Sequence, residues 1–207
     1  LECIKKNAYD QFYNEHIYVF STLSLVNILK KFNLIIFDLK NLETHGGSTR
    51  YYIKRNCNTN INIKQNVKSQ INKEIKFGLN KFSTFKKFAI NVKKSKYALC
   101  ELFKKIKQKN KVIIGYGATA KSTTILNFCN INNKIIKFFV DTTPDKSNKF
   151  LPGTNIKIKK YNPKFMKKVD YIFLGAWNFK KEIFKKEKKF IKNGGKFITH
   201  VPLPRII

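Results

Sequence analysis

The chain has 207 residues, of which 43% are hydrophobic, with 19 Phe and 9 Tyr; this is enough for a folded core and excludes a wholly disordered chain. Forty-three basic against 12 acidic residues give a formal net charge of +31, yet only three of the basic residues are arginines. Because phosphate-binding proteins usually recruit Arg, we interpret the lysines as a solvated surface shaped by an AT-rich genome, and we expect no nucleic-acid partner.

The first half of the chain predicts a helix, a strand pair and two longer helices. Apolar residues at helical spacing predict a helix over 24–32. Residues 34–39 and 50–53 are typical strands, and the short Gly-Gly loop between them favours antiparallel pairing. The Asn-rich stretch 56–66 is a candidate boundary, and the apolar stripe of 67–109 predicts two helices that are broken near 78–83.

The second half of the chain alternates between strand and helix. Strands are predicted over 111–117, 135–141, 170–176 and 194–201, and helices over 120–129 and 179–192. This rhythm indicates an α/β fold, a Rossmann-like domain whose sheet is parallel in its centre. His200 lies in the apolar last strand and is predicted to be a core or edge histidine with satisfied hydrogen bonds.

The sharpest local motif is GYGATAKS, residues 115–122, between a predicted strand and a predicted helix. As GxGxxA it is a dinucleotide fingerprint, with Asp141 at the end of the next strand as the ribose-binding acid; as GxxxxAKS it is nearly a P-loop. Both interpretations put a phosphate against N–H groups at a helix start, where Lys121 adds a positive charge. A tight strand–helix turn without a ligand is the alternative.

A second cluster, Tyr13-Asn14-Glu15-His16, packs a phenol, a carboxylate and an imidazole into four residues. Histidine titrates near neutrality, so with a carboxylate or phenol nearby it can act as a general base. The alternative is an element edge with exposed polar groups. His45, which precedes Gly46, is in the same way either a ligand contact or a turn residue.

The cysteines and the apolar runs indicate where in the cell the protein is expected. The four cysteines are far apart and form no CxxC pair, so neither a zinc site nor a disulfide framework is predicted and a cytoplasmic location is expected. No apolar run reaches the ~18 residues of a membrane span, so no membrane partner is expected. The chain starts Leu-Glu-Cys without an initiator Met, which we interpret as the mark of a fragment.

Six motifs in a fixed order resemble the C-terminal half of the S-adenosylmethionine-dependent sugar C-methyltransferases: YDQFYNEHIYVFS, THGGSTRYYI, GYGATAKSTTILNFCNI, VDTTPDKSNKFLPGTNIKI, LGAWNF and GGKFITHVPLPRII. In that family a zinc-binding module, a class I methyltransferase domain and a Rossmann-like C-terminal domain follow one another. The resemblance implies that residues 1–55 are the end of the methyltransferase domain, with terminal antiparallel strands. It implies that 56–207 are the C-terminal domain, with a helical lead-in over about 66–109.

Zinc and the main loop for S-adenosylmethionine would then lie before this chain, and the 207 residues alone are expected to be inactive in methyl transfer. Two positions depart from the family pattern. Ser122 stands where the family usually has Gly, and Thr143 stands where it usually has Asn. These departures affect the expected phosphate contacts and leave the family resemblance unchanged.

The resemblance also implies a reaction. The substrate would be a dTDP-linked 4-keto-deoxysugar, methylated at C3 after a base has formed the enolate. His16 would be that base, Glu15 would orient or tune it, and Tyr13 would donate a hydrogen bond to the keto or enolate oxygen. Further substrate contacts are expected from eight residues: His45, Gly46, Tyr116, Gly117, Lys121, Asp141, Trp177 and Asn178.

One alternative from another enzyme class stays open. The GxGxxA turn and Asp141 also suit an NAD-dependent oxidoreductase, although the sequence offers no convincing catalytic residue for the nicotinamide side. We expect the protein to be a monomer.

Overall fold

The structure, a computed structural model, describes residues 1–207 and divides into two compact units. The first unit comprises residues 1–5 and 17–90, and the second comprises 6–16 and 91–207. The two units are defined by contacts between residues and not by family domains. The assignment of 1–55 to a methyltransferase domain stays a prediction.

The first unit is a helical layer with one antiparallel strand pair. Its elements are α1 (Glu2–Lys5), α2 (Thr22–Lys30), β1 (Leu34–Leu42), β2 (Ser48–Arg55), α3 (Gln65–Phe77) and the start of α4 (Phe82–Gln108), which continues into the second unit. β1 and β2 pair in antiparallel register, with a bulge between Ile36 and Asp38. Leu29 and Val67 pack with Ile36 of β1, so the two helices bury the apolar side of the strand pair.

The buried carboxylate of Glu74, on α3, caps the first turn of α2. It accepts hydrogen bonds from Thr22 N at 3.1 Å, Thr22 Oγ1 at 2.9 Å and Leu23 N at 3.0 Å, and from Gln70 Nε2 at 2.9 Å. Burial by itself would raise the pKa of Glu74, but the hydrogen bonds from Gln70, Leu23 and Thr22 outweigh it and lower the pKa. The anionic form therefore satisfies N–H groups that a helix start leaves open.

The second unit is built on a seven-stranded sheet. Besides the end of α4 its elements are a 3₁₀ turn (Tyr9–Gln11), β3 (Ile113–Tyr116), α5 (Ala120–Phe128), β4 (Phe139–Asp141), β5 (Phe150–Leu151), β6 (Ile156–Lys160), β7 (Tyr171–Leu174), α6 (Lys180–Lys186), α7 (Lys188–Lys192), β8 (Lys196–Thr199) and β9 (Arg205–Ile206), with short 3₁₀ turns at Pro144–Lys146, Pro163–Lys168 and Trp177–Phe179.

The strand order is β5-β6-β4-β3-β7-β8-β9. Strands β6, β4, β3, β7 and β8 are parallel, and β5 and β9 add to the two edges in antiparallel register. The chain runs outward from β3 through β4 to β6 and then crosses to β7 on the other side. The strand order therefore reverses between β3 and β7, the place where open α/β sheets bind their ligands. This topology confirms the predicted Rossmann-like fold.

Most predicted elements are confirmed, including the antiparallel pair, the break between α3 and α4, and the strand–turn–helix over β3 and α5. Two predictions need correction, and three short strands were missed. The strand predicted over 135–141 is only Phe139–Asp141, because the amides of Ile135 and Ile136 bond back to Asn132 O in a turn. The helix predicted over 179–192 is two helices, interrupted at the non-helical Glu187. The short strands β5, β6 and β9 were not predicted.

Candidate functional site

The turn between β3 and α5 packs closely against the end of β7. Gly117 has φ +83, and a Cβ there would lie 2.5 Å from Ala176 Cβ, so only glycine suits both the backbone and the space. Ser122 Oγ donates to Gly117 O at 2.7 Å, while Thr119 Oγ1 accepts from Ser122 N at 3.2 Å in a capping box. Ser122 thus holds the turn by its hydroxyl.

Lys121 brings a buried ammonium to the switch point of the sheet. Its Nζ donates to Asn178 Oδ1 at 3.1 Å and lies 5.2 Å from the centre of the Trp177 ring. Burial lowers the pKa of Lys121, and the charge of Asp10 acts in the opposite direction. The structure therefore brings Lys121, Trp177 and Asn178 together beside Gly117, four of the predicted substrate-binding residues.

Asp141, at the carboxyl end of β4, is engaged by the chain itself. Its Oδ2 accepts from Ala118 N at 2.7 Å, and its Oδ1 accepts from Thr143 N at 2.8 Å. Lys146 Nζ lies 3.6 Å from Oδ2 and donates to Ala118 O at 2.8 Å. These contacts fix the turn that follows β3. The predicted contact of Asp141 with a ribose hydroxyl stays a prediction.

Tyr116, the last residue of β3, belongs to the hydrophobic core. Its ring lies 5.7 Å from that of Tyr161. Burial, followed by the nearby Glu187 carboxylate, raises the pKa of Tyr116, so the phenol stays protonated at neutral pH. Its predicted contact with a substrate stays a prediction.

Tyr13 and His16 form a hydrogen-bonded pair after the Tyr9–Gln11 turn. Tyr13 Oη lies 2.9 Å from His16 Nε2, and His16 Nδ1 lies 2.9 Å from Gln11 O. The two rings stack with centroids 4.0 Å apart. Because a carbonyl oxygen only accepts, Nδ1 must carry the proton; in the neutral ring Nε2 is then the basic nitrogen and accepts from the Tyr13 hydroxyl. The pair has the tautomer that a general base needs.

Glu15 is exposed, in contrast to the half-buried Tyr13 and His16. Burial raises the pKa of Tyr13, and the charges of Glu15 and Asp10 raise it further. The contact that orients the His16 ring is with Gln11 O, and the role predicted for Glu15 stays a prediction.

His45 and Gly46 lie in the first unit, in a 3₁₀ turn between β1 and β2. Both have positive φ, +55 and +87, and Ser48 Oγ closes the loop by donating to Thr44 O at 3.0 Å. The side chain of His45 is exposed, as suits either a ligand contact or a turn residue.

Sequence reasoning missed the residues that complete the cluster around Trp177. Trp177 Nε1 donates to Asp10 Oδ2 at 2.6 Å, and His200 Nε2 lies 3.1 Å from the same oxygen, not aligned for a hydrogen bond. Both Asp10 and His200 are 0% exposed, and neither Asp10 Oδ1 nor His200 Nδ1 has a hydrogen-bond partner. The prediction of a core histidine is right about burial and wrong about satisfied hydrogen bonds. The one sequence signal for this cluster was the position of His200 at the carboxyl end of the last predicted strand.

The chain has neither a metal-binding cluster nor a membrane-spanning helix. No group of three or more His, Cys, Asp or Glu side chains is arranged to hold a metal ion. None of the helices combines the length and the apolar character needed to cross a membrane.

Comparison with known proteins gives two matches. The family described as the C-methyltransferase C-terminal domain matches residues 43–202. The chain is also similar to C-methyltransferase NovU of Streptomyces niveus, with 31% identity over 207 residues, which are 100% of this chain and 49% of that protein. The chain thus spans about half the length of the curated relative that it matches.

Proposed function

Because the chain belongs to the C-methyltransferase C-terminal domain family, we propose that it serves methyl transfer from S-adenosylmethionine to C3 of a dTDP-linked 4-keto-deoxysugar. The family match and the 31% identity to NovU confirm the resemblance first found in six ordered motifs. The substrate class rests on that resemblance. The observation that carries the chemistry is the imidazole of His16, whose Nδ1 is bound to Gln11 O and whose Nε2 faces the Tyr13 hydroxyl.

We place the diphosphate of the nucleotide at the turn between β3 and α5. Gly117 lets the turn pack against Ala176 at the end of β7, and the start of α5 presents the positive end of a helix dipole. The Lys121 ammonium, buried beside Asn178, adds a charge that water screens little. Trp177 lies at the same edge of the sheet, where its ring could stack on the nucleobase.

We assign proton removal at C3 to His16. The C3–H bond breaks and its proton goes to Nε2. Its electron pair forms the C3–C4 double bond of the enolate, and the π pair of the C4 carbonyl moves to the C4 oxygen. The Tyr13 hydroxyl now donates to Nε2, so it must transfer its hydrogen bond to the keto oxygen as the substrate enters. That exchange frees the lone pair of His16 and places a donor where negative charge develops.

The cofactor, when bound, supplies the methyl group that the enolate carbon takes. An adenosine ribose is commonly held by a free acidic side chain after the second strand of an α/β sheet. Asp141 occupies that position, and both of its oxygens already accept backbone N–H groups. The NAD-dependent alternative would depend on the same carboxylate, and the family match favours a C-methyltransferase instead.

Solvent exchange tests the base without the cofactor. The protein is incubated in D2O with a dTDP-4-keto-6-deoxy sugar, and deuterium at C3 is followed by NMR, with C5 on the other side of the ketone as internal reference. Selective exchange at C3 is expected, and His16→Asn should slow it by about 100-fold, the scale of a general base. Tyr13→Phe should also slow it, whereas Tyr97→Phe, at a residue 69% exposed, should not. Equal exchange at C3 and C5 would remove His16 from this role.

We also keep the expectation of a cytoplasmic monomer. Size-exclusion chromatography with light scattering measures the mass directly, to be compared with 24.3 kDa for one chain.

A further inference from the structure

The carboxylate of Asp10 lies in the interior of the second unit, between Trp177 and His200. Its Oδ2 accepts the indole N–H of Trp177 at 2.6 Å and lies 3.1 Å from His200 Nε2. Asp10 and His200 are fully buried, and Asp10 Oδ1 is without a hydrogen-bond partner. Burying a carboxylate with one unpaired oxygen is costly, and packing alone does not account for it.

Asp10 belongs to the short segment that carries Tyr13 and His16. The Tyr9–Gln11 turn packs against α5, and the Tyr9 ring meets the Phe128 ring edge-on at 5.6 Å. The Tyr9 hydroxyl also lies 3.3 Å from Ser95 Oγ of α4. Within the second unit, then, the segment 9–16 is fixed to the framework by its first residues, and Asp10 is the one among them that reaches Trp177.

The partner of Asp10 belongs to the nucleotide site. The Trp177 ring lies 5.2 Å from Lys121 Nζ, and the next residue, Asn178, accepts a hydrogen bond from that same ammonium. A ligand phosphate that binds Lys121 would share the ammonium with Asn178 and with the Trp177 ring. Only one hydrogen bond separates this group from the segment that carries His16.

We propose that the hydrogen bond between Trp177 and Asp10 links the nucleotide site to segment 9–16, so that Asp10 is a positioning residue for Tyr13 and His16. This inference rests on the proposed function, and it adds that nucleotide binding orders the base. An acceptor is essential at position 10, because an indole nitrogen only donates. The linked arrangement is specific because a buried polar network permits few alternatives.

The chain offers sharp variants for a test. Asp10→Leu fills the site with an apolar side chain and removes the acceptor, whereas Asp10→Asn keeps an acceptor for the indole N–H. Trp177→Phe keeps a ring near Lys121 and removes the donor. Asp145→Asn, at an exposed acid, is the matched control for a lost carboxylate. Trp177 is the single tryptophan, so tryptophan emission reports on the surroundings of this one ring.

Amide hydrogen exchange measured by mass spectrometry gives the decisive readout for segment 9–16. Without ligand, Asp10→Leu and Trp177→Phe should each speed exchange there by about tenfold or more, the opening expected from losing one charge-assisted hydrogen bond, and the double variant should add little. Saturating dTDP should slow exchange in 9–16 in the wild type and in Asp10→Asn, but not in Asp10→Leu or Trp177→Phe. A role in packing alone predicts wild-type exchange in Asp10→Leu as well as in the isosteric Asp10→Asn.

The outcomes separate this inference from the proposed function. Calorimetry that shows no binding of dTDP to the wild type would overturn the nucleotide site itself. Binding of dTDP that protects 9–16 equally in Asp10→Leu and in the wild type would overturn the link alone. Unchanged Trp177 emission in Asp10→Leu, with wild-type exchange in the free protein, would overturn it as well.

Discussion

Replacing Lys121 by alanine removes the one ammonium that the structure buries at the switch point of the sheet. Its Nζ is 3.1 Å from Asn178 Oδ1, and the residue is 5% exposed, so a bound phosphate would meet a charge that solvent screens little. A hydrogen bond to a charged group contributes about 1.5–3 kcal/mol. Lys121→Ala should therefore weaken dTDP binding by about 10- to 150-fold.

Isothermal titration of the 207-residue chain with dTDP measures this loss. Lys189→Ala on α7 is the matched control, because it removes one exposed positive charge from the same unit and should change the dissociation constant by less than about threefold. Lys121→Met keeps the apolar stem and separates loss of charge from loss of packing. Equal affinities of the Lys121→Ala and Lys189→Ala proteins would refute the placement of the phosphate, and tighter binding of NAD than of dTDP would favour the oxidoreductase.

Three further predictions concern protonation and stability. Because burial lowers the pKa of Lys121, dTDP affinity titrated from pH 7 upward should decline before an exposed lysine, with a pKa near 10.4, would lose its proton. Glu74→Gln should lower the free energy of unfolding in urea by about 1–3 kcal/mol at pH 7. The pKa of Glu74 is depressed in the folded state, so its contribution is present above the unfolded pKa of about 4.3 and is lost as pH falls through the folded value; a deficit that persists at pH 2 would contradict the cap. Gly117 and Gly194 have nearly the same φ, +83 and +84, but only at Gly117 would a Cβ meet Ala176. Gly117→Ala should therefore lower the free energy of unfolding by about 1–3 kcal/mol more than Gly194→Ala. Equal losses for the two variants would mean that the turn can shift to make room.

The sequence was enough to predict most of the regular structure because its signals are local. Apolar periodicity located α2, α3 and α4, and the glycine-bounded apolar run located β3. The failures also have local reasons. β5 and β9 have only two residues each, too few for a period-two pattern to be distinguished from a loop. The break at Glu187 is hidden in a Lys-rich stretch whose composition suits one continuous helix.

In the candidate site, too, the sequence identified single residues but not the contacts between them. The motif order determined the family, and residue chemistry singled out Tyr13 with His16 and Lys121 as groups able to move a proton or hold a phosphate. What the sequence could not give is which groups touch. Asp10 and Trp177 are separated by 167 positions and meet only because the chain returns to the carboxyl edge of the sheet at the end of β7. His200 reaches the same carboxylate from the end of β8. Side chains brought together by strand order leave no characteristic spacing in the sequence, so only the tertiary structure decides that Asp10 contacts Trp177 and His200.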